Sequence, residues 1–113
     1  MHELGILYHV VEQVSRIAEQ NHLTQIDTLV LQVGERSGVI PHYLTACYPA
    51  AVDGTMLQNT KLRIETLPAN GRCRACGKVF GLTEHGETCP QCGGRNYEIL
   101  GGREFFIKEI VAC

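Results

Sequence analysis

Residues 73–92 read CRACGKVFGLTEHGETCPQC, and this stretch decides how the chain is organised. It holds two Cys-x-x-Cys hooks with twelve residues between them, formed by Cys73 and Cys76 and by Cys89 and Cys92. Two such hooks can close four sulfurs around one tetrahedral zinc ion and leave no position for water or substrate. The spacing therefore predicts a structural zinc site, with an iron cluster or a redox dithiol pair as alternatives. A closed site also indicates that the function lies elsewhere in the chain.

The composition indicates one ordinary domain with a metal-stabilised insertion. The chain has 113 residues, with 10 Lys and Arg against 12 Asp and Glu, so it lacks the excess of positive charge that nucleic acid or acidic membranes attract. The basic residues near the cysteines are offset by glutamates, and we expect no nucleic-acid binding. No apolar run approaches the length of a membrane span, and the start lacks the features of a secretory signal. We therefore expect a cytoplasmic protein that does not bind membranes.

The apolar pattern predicts two helices and four strands around the cysteine segment. These are a helix from Leu4 to about Asn21, a strand over 24–33, a helix that opens at Pro41, and strands over 61–67, 97–100 and 103–112. Gly101-Gly102 favours a hairpin between the last two strands, because glycine adopts the positive φ of tight turns. We predict an α+β fold in which two helices pack on a small β-sheet, with an inserted zinc-ribbon-like four-cysteine module. Residues 1–70 plus 97–113 would form the α/β domain that carries the amino terminus, and residues 71–96 the inserted zinc-binding domain.

Pro49 conflicts with the second predicted helix. Inside a helix, proline removes one backbone hydrogen bond and clashes one turn back, at a cost of about 3 kcal/mol. We therefore expect this helix to kink or to stop early at Pro49.

The amino terminus offers a second, different kind of metal site. His2 is bulky, so the initiator methionine should stay in place, and its amine, with a pKa of about 8, can release its proton to a metal near neutral pH. This amine, the backbone nitrogen of His2 and the imidazole of His2 can form fused chelate rings that suit Ni(II) or Cu(II). The alternative is that His2 is an ordinary exposed residue at a helix entrance.

Several motifs together resemble the HypA family of nickel metallochaperones (HypA/HybF). They are Met1-His2-Glu3-Leu4 at the start of a helix, Gly34 after the first strand, Pro41 at the start of the second helix, and the two hooks inserted ahead of the terminal strands. The resemblance covers the whole chain, and Pro49 is the clearest departure from the family pattern. It implies that Met1, His2 and Glu3 hold nickel, while Cys73, Cys76, Cys89 and Cys92 hold structural zinc.

The resemblance also implies a function without catalysis. A cytoplasmic protein of this family collects Ni(II) and, with the GTPase HypB, passes it to the large-subunit precursor of a [NiFe] hydrogenase, and in some organisms to urease. A homodimer is a further option for its assembly. Two alternatives stay open: a zinc-ribbon adaptor without a transferable metal, and a thiol redox protein that uses the paired cysteines. We expect the remaining cysteines, Cys47 and Cys113, to be core or tail thiols.

Overall fold

The computed structural model describes residues 2–112, apart from the side chain of His2. In chain order the elements are α1 (His2–Gln20), β1 (Ile26–Gly34), α2 (Pro41–Val52), β2 (Lys61–Leu67), β3 (Asn70–Cys73), β4 (Val79–Gly81), α3 (Leu82–His85), β5 (Tyr97–Gly101) and β6 (Phe105–Ala112). Within the described residues, no helix combines the length and the apolar character that a membrane crossing needs.

The first sheet carries the main hydrophobic core. Its strand order is β2-β1-β6, with β1 parallel to β2 and antiparallel to β6. Leu29, Leu31 and Val33 alternate along β1 and are fully buried, as their period of two predicts. They pack with buried residues of α1 and α2, among them Leu7, Val14 and Leu44. The predicted arrangement of two helices on a small sheet is confirmed. Cys47 packs at the edge of this core, as expected of a core thiol, whereas Cys113 lies outside the described residues.

The second helix does not stop at Pro49. α2 continues to Val52, so of the two predicted outcomes the early stop is wrong, while the kink stays a prediction. Pro49 and Thr45, one turn earlier, are both exposed, and water can therefore satisfy the Thr45 carbonyl that Pro49 leaves without a helical donor. The last turn also buries Ala51 and Val52 in the main core, which favours continuing the helix past the proline.

The predicted hairpin between the last two strands is also wrong. β5 pairs with β3 in a second sheet of order β4-β3-β5, whereas β6 pairs with β1 in the first sheet. Gly102 has a φ of +104°, and a Cβ atom there would lie 2.4 Å from the Cα of Ala69. The glycine pair therefore marks the place where the chain passes from one sheet to the other against a neighbouring segment, and not a turn between paired strands.

The loop after β1 ties the two sheets together. The two segments that connect the sheets, residues 67–69 before β3 and residues 102–104 after β5, both run beside residues 34–36. We call these three segments together the joint. Its hydrogen bonds are Gly34 N to Glu104 O (2.7 Å), Glu35 N to Leu67 O (2.9 Å), Arg36 N to Gly102 O (2.6 Å) and Ala69 N to Glu35 Oε1 (2.7 Å). The division into residues 1–70 plus 97–113 and residues 71–96 stays a prediction, and the pairing of β5 with β3 favours assigning residues 97–101 to the second unit.

Candidate metal centre

The structure brings the four predicted zinc ligands together. The Sγ atoms of Cys73, Cys76, Cys89 and Cys92 all lie within 4.8 Å of one another. Cys73 Sγ is 3.5 Å from Cys92 Sγ, and Cys76 Sγ is 3.6 Å from Cys89 Sγ. A tetrahedral site with metal–sulfur bonds of about 2.3 Å requires sulfurs about 3.8 Å apart. The sulfur cluster therefore has the dimensions of a tetrahedral four-thiolate metal site.

Both hooks fold in the same way, and a glycine allows each to turn. The carbonyl oxygen of Cys73 accepts a hydrogen bond from Gly77 N, and that of Cys89 accepts one from Gly93 N, each at 2.9 Å. Gly77 and Gly93 have φ values of +80° and +74°, in the left-handed region that favours glycine. Each hook thus bends back so that its two cysteines point to the same centre.

Backbone amides point at the sulfurs and change their acidity. The amides of Cys76 and Ala75 lower the pKa of Cys73 to about 6. The amide of Gly94, 3.4 Å from Cys92 Sγ, also acts to lower the pKa of that thiol, but the neighbouring thiols and burial together raise it to about 12. Four sulfurs this close therefore do not ionise together unless a cation offsets their charge. Sulfur donors in this geometry suit zinc or iron.

The second unit, which is built around the sheet β4-β3-β5, has little core besides this centre. Its buried cluster consists of Ala69, Cys73, Phe80, Leu82 and Cys89, with Tyr97 and Ile99 packed at the edge. Two of these five buried residues are cysteines of the metal site. Units this small are usually stabilised by a metal or by disulfides, and the five cysteines that the structure describes are unpaired. A bound metal therefore fits this unit as a structural element.

The predicted nickel residues lie at the other end of the chain. Met1 and the side chain of His2 are outside the described residues, and the backbone of His2 begins α1. Glu3 is described: it is 6% exposed, and its Oε2 accepts a hydrogen bond from the backbone N of Ile40 at 3.2 Å. Nothing in the sequence pattern indicated this contact, because it joins residues 37 positions apart.

A groove between α1 and β6 is a further feature that sequence reasoning missed. It has a volume of about 690 Å³ and is lined by Gly5, Ile6, His9, Val10, Gln13, Phe105, Phe106 and Ile107. His9 is exposed in this groove. Because the groove joins a helix to a strand from the opposite end of the chain, only the tertiary fold could reveal it.

Comparison with known proteins gives a consistent result over almost the whole chain. The family model described as "HypA: Hydrogenase/urease nickel incorporation, metallochaperone, hypA" matches residues 1–112. Proteins named hydrogenase maturation factor HypA from Geotalea uraniireducens and Albidiferax ferrireducens are 36% and 33% identical over 110 residues, with 97% of each chain covered.

Two solved structures have a similar fold. The solution structure of the Ni metallochaperone HypA from Helicobacter pylori has a TM-score of 0.66 and 19% identity, covering 97% of this chain and 96% of that one. A solution structure titled HypA protein has a TM-score of 0.71 and 20% identity, covering 100% of this chain and 97% of that one. At these identities the likeness shows the fold alone.

Proposed function

Because the chain belongs to the HypA family of hydrogenase/urease nickel-incorporation metallochaperones, we propose that it binds Ni(II) at its amino terminus and delivers it to a [NiFe] hydrogenase precursor. The match over residues 1–112 is the observation that carries this proposal. The chemistry of the cysteine cluster supports it, since four thiolates fill a tetrahedral shell and hold their metal in place. A metal that is handed on therefore needs a different and more open site.

In this proposal the cysteine cluster holds structural zinc. The Sγ atoms have tetrahedral spacing, and the buried cluster around them is too small to fold by burial alone. Zinc would take the two hooks as four thiolate ligands and supply folding free energy to the second unit. A thiol redox function is less favoured, because coordinated thiolates are not free to exchange. An adaptor without transferable metal is the remaining alternative. A nickel-binding measurement separates the two, because the proposed metallochaperone binds Ni(II) and such an adaptor does not.

The amino terminus supplies the nickel ligands in this proposal, which assigns Met1, His2 and Glu3 to the site. The terminal amine, the His2 imidazole and backbone nitrogens form a nitrogen-rich set that suits Ni(II). α1 begins at His2, and the first amides of a helix have no partner within the helix. Deprotonating one of these amides to bind nickel therefore breaks no helical hydrogen bond. No covalent catalytic step is needed for a metal to move between ligands.

We place the GTPase HypB and the hydrogenase large-subunit precursor as partners, with urease maturation as a second client in some organisms and a homodimer as a further form. These assignments follow from the family and not from a contact in the molecule. The cytoplasm is the proposed compartment, because its reducing conditions keep thiols available as metal ligands.

Titration calorimetry with Ni(II) tests the proposal. Zinc-loaded protein with its native Met1 is compared with His2→Ala and with a version that carries extra residues before Met1. His9→Ala is the matched control, because this exposed histidine lies on the same helix. We expect one site with a Kd in the micromolar range, about −8 kcal/mol, that is lost in the first two variants and kept in the control, with zinc content unchanged. Equal binding by all four proteins would place nickel elsewhere, and no binding by any would favour the adaptor.

A further inference from the structure

We propose that a second copy of this chain binds the free edge of β6, so that two β6 strands pair antiparallel about a two-fold axis. The first sheets of the two molecules then form one continuous sheet. This inference gives the homodimer of the proposed function a contact surface. It uses no nickel ligand, so either proposal can fail without the other.

β6 lies at the edge of its sheet and has exposed apolar side chains. It pairs with β1 on one side, and no other strand of residues 2–112 pairs with its other side. Alternate residues of such an edge direct their backbone N–H and C=O groups outward, where another strand can bind them. Phe106 and Val111 of β6 are 44% and 38% exposed, whereas β2, at the opposite edge of the sheet, has no large apolar side chain that is exposed.

A bulge makes the side-chain pattern of β6 symmetric about its middle. Ile107 lies opposite Leu31 of β1, and Glu109 lies opposite the preceding residue of β1, Val30. Lys108 is therefore the extra residue of the bulge. The core side of the sheet then has Phe105, Ile107 and Ile110, and the outer side has Phe106, Lys108, Glu109 and Val111. Over residues 106–111 the order of sides is consequently the same in both chain directions, with its midpoint between residues 108 and 109.

Pairing about this midpoint places complementary side chains opposite each other. It keeps core-side residues opposite core-side residues, which the neighbouring registers do not. The pairs, each present twice by the two-fold symmetry, are Lys108 with Glu109, Phe106 with Val111, and Ile107 with Ile110 of the second copy. Opposite charges and apolar side chains that face each other across two strands stabilise their pairing. The strand is therefore complementary to itself in both charge and hydrophobicity.

The charges favour a second copy as the occupant of this edge. A bulge and a lysine on an edge strand usually discourage pairing, but in this register Lys108 meets an acid. Its ammonium has three N–H donors, so it can keep its bond to Glu65 at 2.8 Å and also bind Glu109 of the second copy. The Glu109 side chain is exposed. On β2, in contrast, Arg63 and Glu65 already pair with each other within the chain.

The groove between α1 and β6 borders the same edge. Its β6 wall is residues 105–107, and Ile6 and Val10 of α1 line the opposite wall. The proposed register lays residues 110–112 of the second copy along residues 105–107. Ile110 of the second copy then lies on the core side, beside the groove, where its apolar surface is removed from water. The two-fold axis repeats this contact in the other groove.

Sedimentation velocity of zinc-loaded protein without nickel, over about 1–500 µM, tests the pairing. Glu109→Lys places a lysine opposite Lys108 of the second copy, and Lys108→Glu places a glutamate opposite Glu109. Glu12→Lys on α1 and Lys61→Glu on β2 are the matched controls, because they make the same changes of charge at exposed positions away from β6. Circular dichroism records whether each variant is folded.

We expect the wild type and both controls to dimerise, and each β6 variant to raise the dissociation constant at least about tenfold. An equimolar mixture of Glu109→Lys and Lys108→Glu should form a heterodimer, because every lysine at these positions then lies opposite a glutamate. If Lys108→Glu does not fold, the comparison of Glu109→Lys with Glu12→Lys still decides the question.

Three results would overturn the inference. They are a wild type that stays monomeric at the highest concentration, which leaves the β6 edge to a different chain, a Glu109→Lys variant that dimerises as the wild type does, and a mixture of the two folded β6 variants that does not associate. Nickel titration of the same proteins separates the two proposals. A monomeric wild type that binds nickel refutes the pairing alone, and a dimer that binds no nickel refutes the nickel function alone.

Discussion

Replacing Gly34 with alanine tests how tightly the joint is built. Gly34 ends β1, and a Cβ atom there would lie 2.3 Å from the carbonyl oxygen of Gly102. Ordinary van der Waals contact begins at 3.4 Å, so the two segments must separate by about 1.1 Å, the difference between the two distances. The obstacle is backbone and not the end of a flexible side chain, so a rotamer change cannot relieve it.

The structure gives the size of the effect. Separation by about 1.1 Å would lengthen the bonds from Gly34 N to Glu104 O (2.7 Å) and from Arg36 N to Gly102 O (2.6 Å) beyond hydrogen-bond range. Each bond contributes about 0.5–1.5 kcal/mol, and overpacking adds about 1–3 kcal/mol. Together these contributions predict a loss of about 4 kcal/mol in the free energy of unfolding. With a slope of about 2 kcal/mol per molar urea, the midpoint should fall by about 2 M.

Urea denaturation of the zinc-loaded protein, followed by circular dichroism, measures this loss. Gly81→Ala is the matched control, because a Cβ atom there meets only the Cβ of Glu84, at 3.6 Å, and its φ of −77° suits alanine. We expect the control to change the free energy of unfolding by less than about 1 kcal/mol. If Gly34→Ala changes it by no more than the control does, the joint yields easily and the reasoning fails.

Three further predictions concern the metal, a buried hydroxyl and a surface carboxylate. Removing the metal with a chelator, or replacing Cys76 with serine, should disorder the second sheet while amide resonances of the first sheet persist; a second sheet that stays ordered would contradict the structural role of the metal. Tyr48→Phe should lower the free energy of unfolding by about 1–2 kcal/mol in urea, because the Tyr48 hydroxyl, whose pKa burial raises to about 12, donates to the buried carbonyl of Thr60 at 2.9 Å. An unchanged midpoint would show that this bond contributes nothing. Hydrogen bonds from Lys108 and Gln32 lower the pKa of Glu65 below its ordinary value, so their stabilisation is fully present above that ordinary pKa and is lost as the pH falls through the lowered pKa. The stability difference between the wild type and Lys108→Ala should therefore shrink in acid, and a difference independent of pH would contradict this origin.

Much of the fold follows from local pattern. The period of 3.6 in α1 and the period of two in β1 indicate which residues face the core, and the structure buries Leu7, Val14, Leu29 and Leu31. The spacing of the hooks likewise predicts the cysteine cluster, because each hook is a local turn with its own glycine. The rule that proline breaks helices left an early stop at Pro49 open, because it does not include solvent at the Thr45 carbonyl or the packing of the last turn of α2.

Pairing between distant segments was decided by the tertiary structure alone. The sequence by itself determined the types of the main elements and the sulfur donor set, because these depend on residues close together along the chain; the nickel site at the amino terminus stays a prediction. It did not determine that β5 joins β3 while β6 joins β1, nor that Glu3 meets Ile40, because those choices depend on which surfaces are buried together. Gly101-Gly102 suits a hairpin turn locally, yet β1 and β3 offer separate partners to the strands on either side of it. Hydrogen bonds with these partners satisfy the same backbone groups that a hairpin would, and they also allow β6 to pack the partly buried Phe105, Ile107 and Ile110 against the main core.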